Sequence, residues 1–412
     1  MALPASLSPR SRAFFTAAAL VLVAALAPRT LDPNTARRLP ASDDEKASLR
    51  RLYPDLSPQA FDRKLEAAKT PFLFFRSFAP LYYRLFSGKL AALPESLRRV
   101  TSQEGWCAGD AHPENFGVLV DDSGAPTFTI NDADDSGPCP IAADLLRFLV
   151  ATRIAAPKLA DRDSLAELLD GYFDGTQGRL KFSKPVRRML DEAEGDTRFS
   201  DSLEVTEGGK KISRRVSGAE LEDVERALRH AYGEVSVAEA HAYVKSGGGS
   251  GGLLRYRVRV RQGDENRSIE LKTIARPSVF FLAPDRDPVK GAPEENPARR
   301  VMRSLRLFQP SGISRFYAVE EIAGTPMLLR PRYAAIASVE LGDLARDDDP
   351  DAFIKVFKDE AAVLGVLHAR STKNDGRAID ALRGIPTRDW DAAEKILRGE
   401  LLEQFQKIRG SP

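Results

Sequence analysis

The chain has 412 residues, and its 61 Lys and Arg balance 59 Asp and Glu to a formal net charge of +2, which removes the charge argument for a dedicated nucleic-acid binder. With 42% hydrophobic and 29% charged residues the composition is that of a globular protein, long enough for two or three units or one large two-lobed fold. Two cysteines, Cys107 and Cys139, are too few for a disulfide framework and lack the CxxC spacing of a structural zinc site.

At the N-terminus Arg10 and Arg12 precede an apolar run from Ala13 to Ala27 that ends in Ala25-Leu26-Ala27, so residues 1–27 read as a signal peptide or signal anchor. The run is shorter than the roughly 20 residues that span a bilayer, which favours a cleaved signal over a transmembrane helix. Pro28 is a poor neighbour for a cleavage site, and Arg29, Arg37 and Arg38 on the far side oppose export; a start codon placed too early would leave the same apolar extension. Residues 28–60 are polar and proline-bearing and look like a linker followed by a short helix, with the linker bounded at 28–56.

From Pro58 to Leu97, Phe61, Leu65, Phe72, Phe75, Phe78, Leu81 and Leu85 recur at three- and four-residue intervals, which predicts amphipathic helices broken near Pro71 and Pro80. From Gly105 short apolar runs (VLV, TFTI) alternate with turn residues, predicting a strand, a turn at Asp122-Ser123-Gly124 and a second strand, followed by helices over 141–155 and 163–173. The stretch GGKKISRR in the charged middle reads as a solvated loop or hairpin, with phosphate contact the alternative. GGGSGG, Gly247 to Gly252, precedes a two-faced strand in which Tyr256, Val258 and Val260 alternate with Arg255, Arg257 and Arg259; SIELKTIA is the return strand and carries Lys272. Helices are predicted over 297–308, 351–370 and 390–408, with strands near 316–322 and 327–329.

Asp110, His112, Asn115, Asp132, Asp134 and Asp135 all fall within the strand-turn-strand unit. Oxygen ligands on loops bounding short strands can converge on a hard cation such as magnesium; a polar turn whose Asp and Asn side chains cap local backbone is the alternative. In Gly247-x-Gly249-x-x-Gly252 the missing side chains would let backbone amides approach phosphate oxygens, with Ser250 inside the loop and Lys272 behind it, whereas a bare GGGSGG could equally be a tether. His112 reads as a hydrogen bond orienting its loop rather than a phosphate or metal contact. His368 reads as a packed core histidine, Arg76 as a buried ion-pair partner for the acidic cluster with a phosphate contact the alternative, and Glu270 as a partner for a neighbouring Arg.

GDAHPENFGVLV followed by INDADDSGPCPIAADLLRF resembles the catalytic segment of the protein-kinase-like phosphotransferases of the aminoglycoside and choline kinase branch. KTPFLFFRSFAPLYYRL, CAGDAHPENFG, INDADDSGP, DLLRF, GGGSGGLLRYRV, ELKTIARPS and LGVLHARS resemble, in order, the motifs of an uncharacterised bacterial family, domain-of-unknown-function family 2252, over about residues 60 to 375. The kinase resemblance implies an α+β, two-lobed, helix-rich fold with a small antiparallel sheet. It also implies circular permutation, because the glycine loop follows the catalytic Asp. On that plan residues 57–240 form the catalytic-loop lobe, 241–335 the glycine-loop lobe and 336–412 the helices that complete the first.

The resemblance assigns Asp110 as catalytic base and Asn115 and Asp132 as metal ligands, to which the extra Asp134 could add a third. It assigns Gly247, Gly249, Ser250, Gly252 and Lys272 to the phosphates of ATP, and Asp144 as a structural Asp, with His112, Arg76 and His368 in support. Three departures stand out: Ala108 replaces a His, DAD replaces DFG, and the helix after Lys272 offers Arg303 where a Glu partner is expected, with Glu294 or Glu295 as substitutes. A kinase-like fold brings Cys107 and Cys139 to one region, where two free thiols are the expectation and a bridge is the alternative in an exported protein.

The function so implied is a magnesium- and ATP-dependent phosphotransferase acting as a monomer on an unidentified hydroxyl acceptor, with no nucleic-acid partner and possible membrane association through the N-terminal segment. The alternatives are nucleotidyl transfer on the same scaffold, nucleotide binding without turnover, or metal-dependent phosphate-ester hydrolysis. The location is the bacterial envelope, or the cytoplasm if the apolar extension is an artefact of start assignment.

Overall fold

The computed structural model describes residues 45–282, 296–309, 312–347, 349–372 and 376–409. The signal segment, most of the linker, and Glu294 and Glu295 lie outside these residues. No helix among the described residues is long and apolar enough to cross a membrane.

Five short helices open the described chain: α1 (Glu45–Arg51), α2 (Pro58–Ala67), α3 (Pro71–Ser77), α4 (Ala79–Lys89) and α5 (Glu95–Val100). The first is a short helix within the segment read as linker, and it is anchored by the buried Leu49. Breaks fall at the prolines because Pro58, Pro71 and Pro80 each occupy a first helical turn, where no N–H is needed. The hydroxyls of Ser57 and Thr70 accept from the amides of Ala60 and Leu73 and cap α2 and α3. These helices bury Phe61, Phe74 and Phe78 in a second core, closed by Phe405 from the C-terminal helix. Each such ring contributes about 2 kcal/mol.

Next come β1 (Glu104–Cys107), β2 (Phe116–Val120), β3 (Pro126–Ile130) and β4 (Gly137–Pro140), then α6 (Ile141–Ala155), α7 (Arg162–Thr176) and α8 (Lys184–Ala193). The middle contains the small hairpin β5 (Thr206–Glu207) and β6 (Lys210–Lys211), then β7 (Arg214–Arg215), α9 (Ala219–Tyr232), β8 (Ser236–Val244), β9 (Leu254–Gln262) and β10 (Glu265–Thr273). The remainder is α10 (Pro297–Phe308), β11 (Ala318–Ile322), β12 (Thr325–Pro331), β13 (Ala337–Ser338), α11 (Leu341–Leu344), α12 (Ala352–Ser371), α13 (Arg377–Arg383) and α14 (Thr387–Arg409).

This is an α+β fold, roughly half helical, with small antiparallel sheets. The largest runs β11-β12-β10-β9-β8-β7. One of its faces is apolar, with Tyr256, Val258, Val260, Leu271 and Leu329 buried, and the Tyr256 hydroxyl donates to Glu220 on α9. The opposite face pairs Arg255 with Lys272 and Glu270 with Arg330 across neighbouring strands. The sheet begins at Arg214, well before residue 241.

Two other small sheets, β1-β4 and β13-β2-β3, carry the acidic loops. Helix α12 runs beside β1, where the Trp106 amide donates to the Ser371 hydroxyl at 2.8 Å.

Candidate active site

The loop after β1 is fixed before any ligand is considered. Gly109 has φ +80°, and a Cβ there would lie 1.8 Å from the Asp135 carbonyl oxygen, so only glycine fits. Asp144, in the first turn of α6, accepts from the amides of Ala108 (2.7 Å) and Gly109 (3.0 Å) and from the Tyr83 hydroxyl (2.9 Å). His368 on α12 reaches the same carboxylate through Nε2 at 3.2 Å, while its Nδ1 meets the Tyr172 hydroxyl at 2.9 Å. Asp144 and His368 therefore hold the loop, and the buried His368 is a core residue.

Asp110 is 6% exposed. Its Oδ1 accepts a charge-assisted hydrogen bond from Arg147, and its Oδ2 lies 3.5 Å from His112 Nε2. Burial pushes the Asp110 carboxyl up, but the positive charges of His112 and Arg147 outweigh it and hold the group at about 2. At His112 itself burial wins and lowers the imidazole. Arg147, stacked 4.1 Å over the Phe75 ring, is thus the charge that keeps Asp110 ionised at neutral pH. Asn115 donates through Nδ2 to the carbonyls of Asp110 (3.1 Å) and Asp132 (3.4 Å), which leaves its amide oxygen as a ligand atom.

Lys272, 1% exposed, meets both acidic residues of the second loop: its Nζ lies 2.9 Å and 3.1 Å from the two Asp132 oxygens and 2.6 Å from Asp134 Oδ2. Burial opposes ionisation of Asp132, but Lys272, Arg330 and Arg255 override it and hold the carboxyl well below the usual range. Burial and the Asp132 charge push Asp134 up, and Asp134 Oδ1 is buried without a hydrogen-bond partner. Two carboxylates, one of them with an orphaned oxygen, and an amide oxygen form the all-oxygen donor set that magnesium takes. The residues present fit that ion.

GGGSGG is the turn between β8 and β9. Gly248 and Gly252 have φ +79° and +92°. A Cβ on Gly249 would stand 3.6 Å from Asp110 Oδ2 and equally from Asp135 Oδ2, so the turn overhangs the acidic loops. Lys64 on α2, fully buried, donates from Nζ to the carbonyls of Gly248 and Gly249, the latter at 2.7 Å. Burial brings its ammonium down to about 7, against the pull of Asp135 and Asp110. Asp135 is occupied on its other side, where Oδ1 accepts from the Ser278 amide and hydroxyl. Beneath the turn lies a cleft of about 860 Å³ lined by Asn115, Asp132, Ser250, Arg255 and Arg330 among others, a volume within the ligand-site range.

Two expectations need correction. Arg76 pairs with Glu114, not with the aspartates, and its side chain is 29% exposed, because the turn from Pro113 to Asn115 swings Glu114 out towards α3. Cys107 and Cys139 form a disulfide, since β1 and β4 pair in a register that sets their Cα atoms 5.8 Å apart. The bridge commits the Cys107 sulfur, so the proximity of Cys107, Asp144 and His368 does not make a metal site. Lys272 takes its carboxylate partners from the acidic loop. Arg303 stacks 4.4 Å over Trp106, and Arg300 on α10 donates instead to the carbonyls of Asp134 and Ser136. Glu270 pairs with Arg330 at 2.5 Å and lies 3.6 Å from Arg255.

Sequence reasoning passes over Lys64, Arg147 and Arg300. Only Arg147 has a local signal: it stands one helical turn after Asp144, on the same face of α6.

Acidic loops facing a glycine turn and a cationic sheet face across an open cleft define a charged ligand site suited to a metal and an oxyanion. The chain belongs to a family of uncharacterised proteins conserved in bacteria, DUF2252, which matches residues 56–175 and 173–398. No curated protein and no solved structure matches it, so the likeness to kinase-like phosphotransferases rests on the motifs alone.

Proposed function

We propose that the protein is a magnesium- and ATP-dependent phosphotransferase acting on a hydroxyl-bearing acceptor, on a permuted kinase-like plan. One observation carries the reading: Lys272 and the glycine turn, which follow Asp110 by well over a hundred residues, close directly over Asp110, Asp132 and Asp134. A tether or a separate module would not place them there. The chain order β8, glycine turn, β9, β10 with its lysine, α10, β11, β12 supports the plan, as does α12 beside the strand that leads into Asp110.

In this reading the acceptor oxygen attacks the terminal phosphorus, the bond from that phosphorus to its bridging oxygen breaks, ADP leaves, and the acceptor proton passes to Asp110. Asn115, Asp132 and Asp134 would hold the magnesium, whose charge offsets that of the phosphates. Arg147 keeps Asp110 ionised and aimed, and Lys64 holds the glycine turn down from behind. The work is positioning and charge neutralisation.

The cationic cleft face of the sheet favours nucleotidyl transfer as a second reading. Arg255, Arg330 and Arg332 line the cleft, and they suit the phosphate chain of a nucleotide bound the other way round. Transfer of label from γ-labelled against α-labelled ATP separates the two.

The metal assignment is tested by Asp132→Asn, expected to abolish thermal stabilisation by magnesium-ATP while leaving the fold intact. Undiminished stabilisation in that variant would sink it.

A further inference from the structure

The hairpin of β5 and β6 reaches across the cleft and places its Glu207 carboxylate on the glycine turn. Glu207 accepts from the Ser246 amide at 3.1 Å through each oxygen and from the Gly247 amide at 3.3 Å. Successive backbone amides converging on one anionic group are how proteins hold an oxyanion. The surroundings are short of negative charge. Lys245, one residue before these amides, is exposed, and its ammonium has no hydrogen-bond or ion-pair partner among the described residues. Arg255 is 5% exposed and lines the same cleft, and its Nε is a buried donor without a partner. Glu270, the acid on this face, is already shared by Arg330 and Arg255.

We propose that the Ser246 and Gly247 amides, Lys245 and Arg255 form a pocket for a phosphate group of the ligand, and that Glu207 occupies it as an internal surrogate until that phosphate displaces it. The proposal rests on the reading of the cleft as a phosphate site and adds its occupant and its regulation. The hairpin is suited to release: β5 and β6 pair over two residues each, around Gly208 and Gly209 at positive φ.

The probe is inorganic triphosphate, titrated calorimetrically into the full chain without metal. Glu207→Gln keeps an oxygen acceptor for the amides but removes the competing charge, and it should bind about tenfold more tightly than the wild type. Lys245→Ala, at an exposed position, should bind several-fold more weakly. Equal or weaker binding by Glu207→Gln, or no binding by any variant, overturns the proposal. Glu207→Gln,Asp132→Asn should retain the gain over Asp132→Asn alone, so the pocket can stand even if the phosphotransferase reading fails. An equal gain for ATP assigns the pocket to a nucleotide phosphate. A gain confined to triphosphate and a sugar monophosphate assigns it to a phosphorylated acceptor.

Discussion

Lys64 shows how much of the site one side chain can carry without leaving a trace in the sequence pattern. It occupies an ordinary position on an amphipathic helix, and only the packing of α2 against the turn after β8 brings its ammonium to the Gly248 and Gly249 carbonyls. Its folded pKa of about 7 lies below the 10.5 of an unperturbed lysine. Between those values the unfolded chain binds a proton that the folded chain lacks, so this group makes stability rise with pH across the window; below 7 its cost is constant. Lys64→Met should flatten that part of the profile, read as melting temperature from pH 7 to 10. A variant as steep as the wild type would contradict this account. Asp110, Asn115 and Asp132 are legible in the sequence as a cluster because they bound two short strands, β2 and β3, joined by a tight turn. The roles of Arg147 and Arg300 are not, since each is set by a partner on a distant segment.

At the level of elements, α7 and α12 approach each other through glycines. A Cβ on Gly175 would stand 1.8 Å from the Ala362 carbonyl oxygen, and one on Gly365 would stand 2.1 Å from that of Tyr172. This contact holds α12, and with it His368, in place behind Asp144. Gly365→Ala should therefore destabilise the protein by about 1–3 kcal/mol in denaturant unfolding, and an unchanged midpoint would show that the helices can separate freely. The Cys107–Cys139 bridge closes a loop with a sequence separation of 32, for which chain entropy gives about 3–4 kcal/mol. Cys107→Ala,Cys139→Ala should lose stability on that scale compared with protein purified without reductant. Two titratable thiols in that preparation would remove the bridge from the account. Proline breaks and apolar spacing make most helices readable, whereas β8 is not: SVAEAHAYV is rich in alanine, a poor strand former, and becomes a strand by pairing with β9.

Across the whole molecule, the Lys272 amine is the tie between the sheet and the acidic loops. Lys272→Met would remove the ammonium that contacts both Asp132 and Asp134. Magnesium chloride alone should then raise the melting temperature of the variant by several degrees more than that of the wild type. Equal shifts would mean that the two carboxylates do not form a cation site. The sequence by itself determined the alternation of helix and strand, the clustering of acidic residues around two short strands, and the two-faced strands that put arginines on one side and valines on the other. These follow from local periodicity and residue type, which any stretch of chain carries with it. Only the tertiary structure decided that the glycine turn covers Asp110, that Lys64 and Glu207 hold that turn from opposite sides, and that the two cysteines meet. Each of these depends on the closure of a long loop, whose end points are chosen by packing and strand register across the molecule and leave no mark on neighbouring residues.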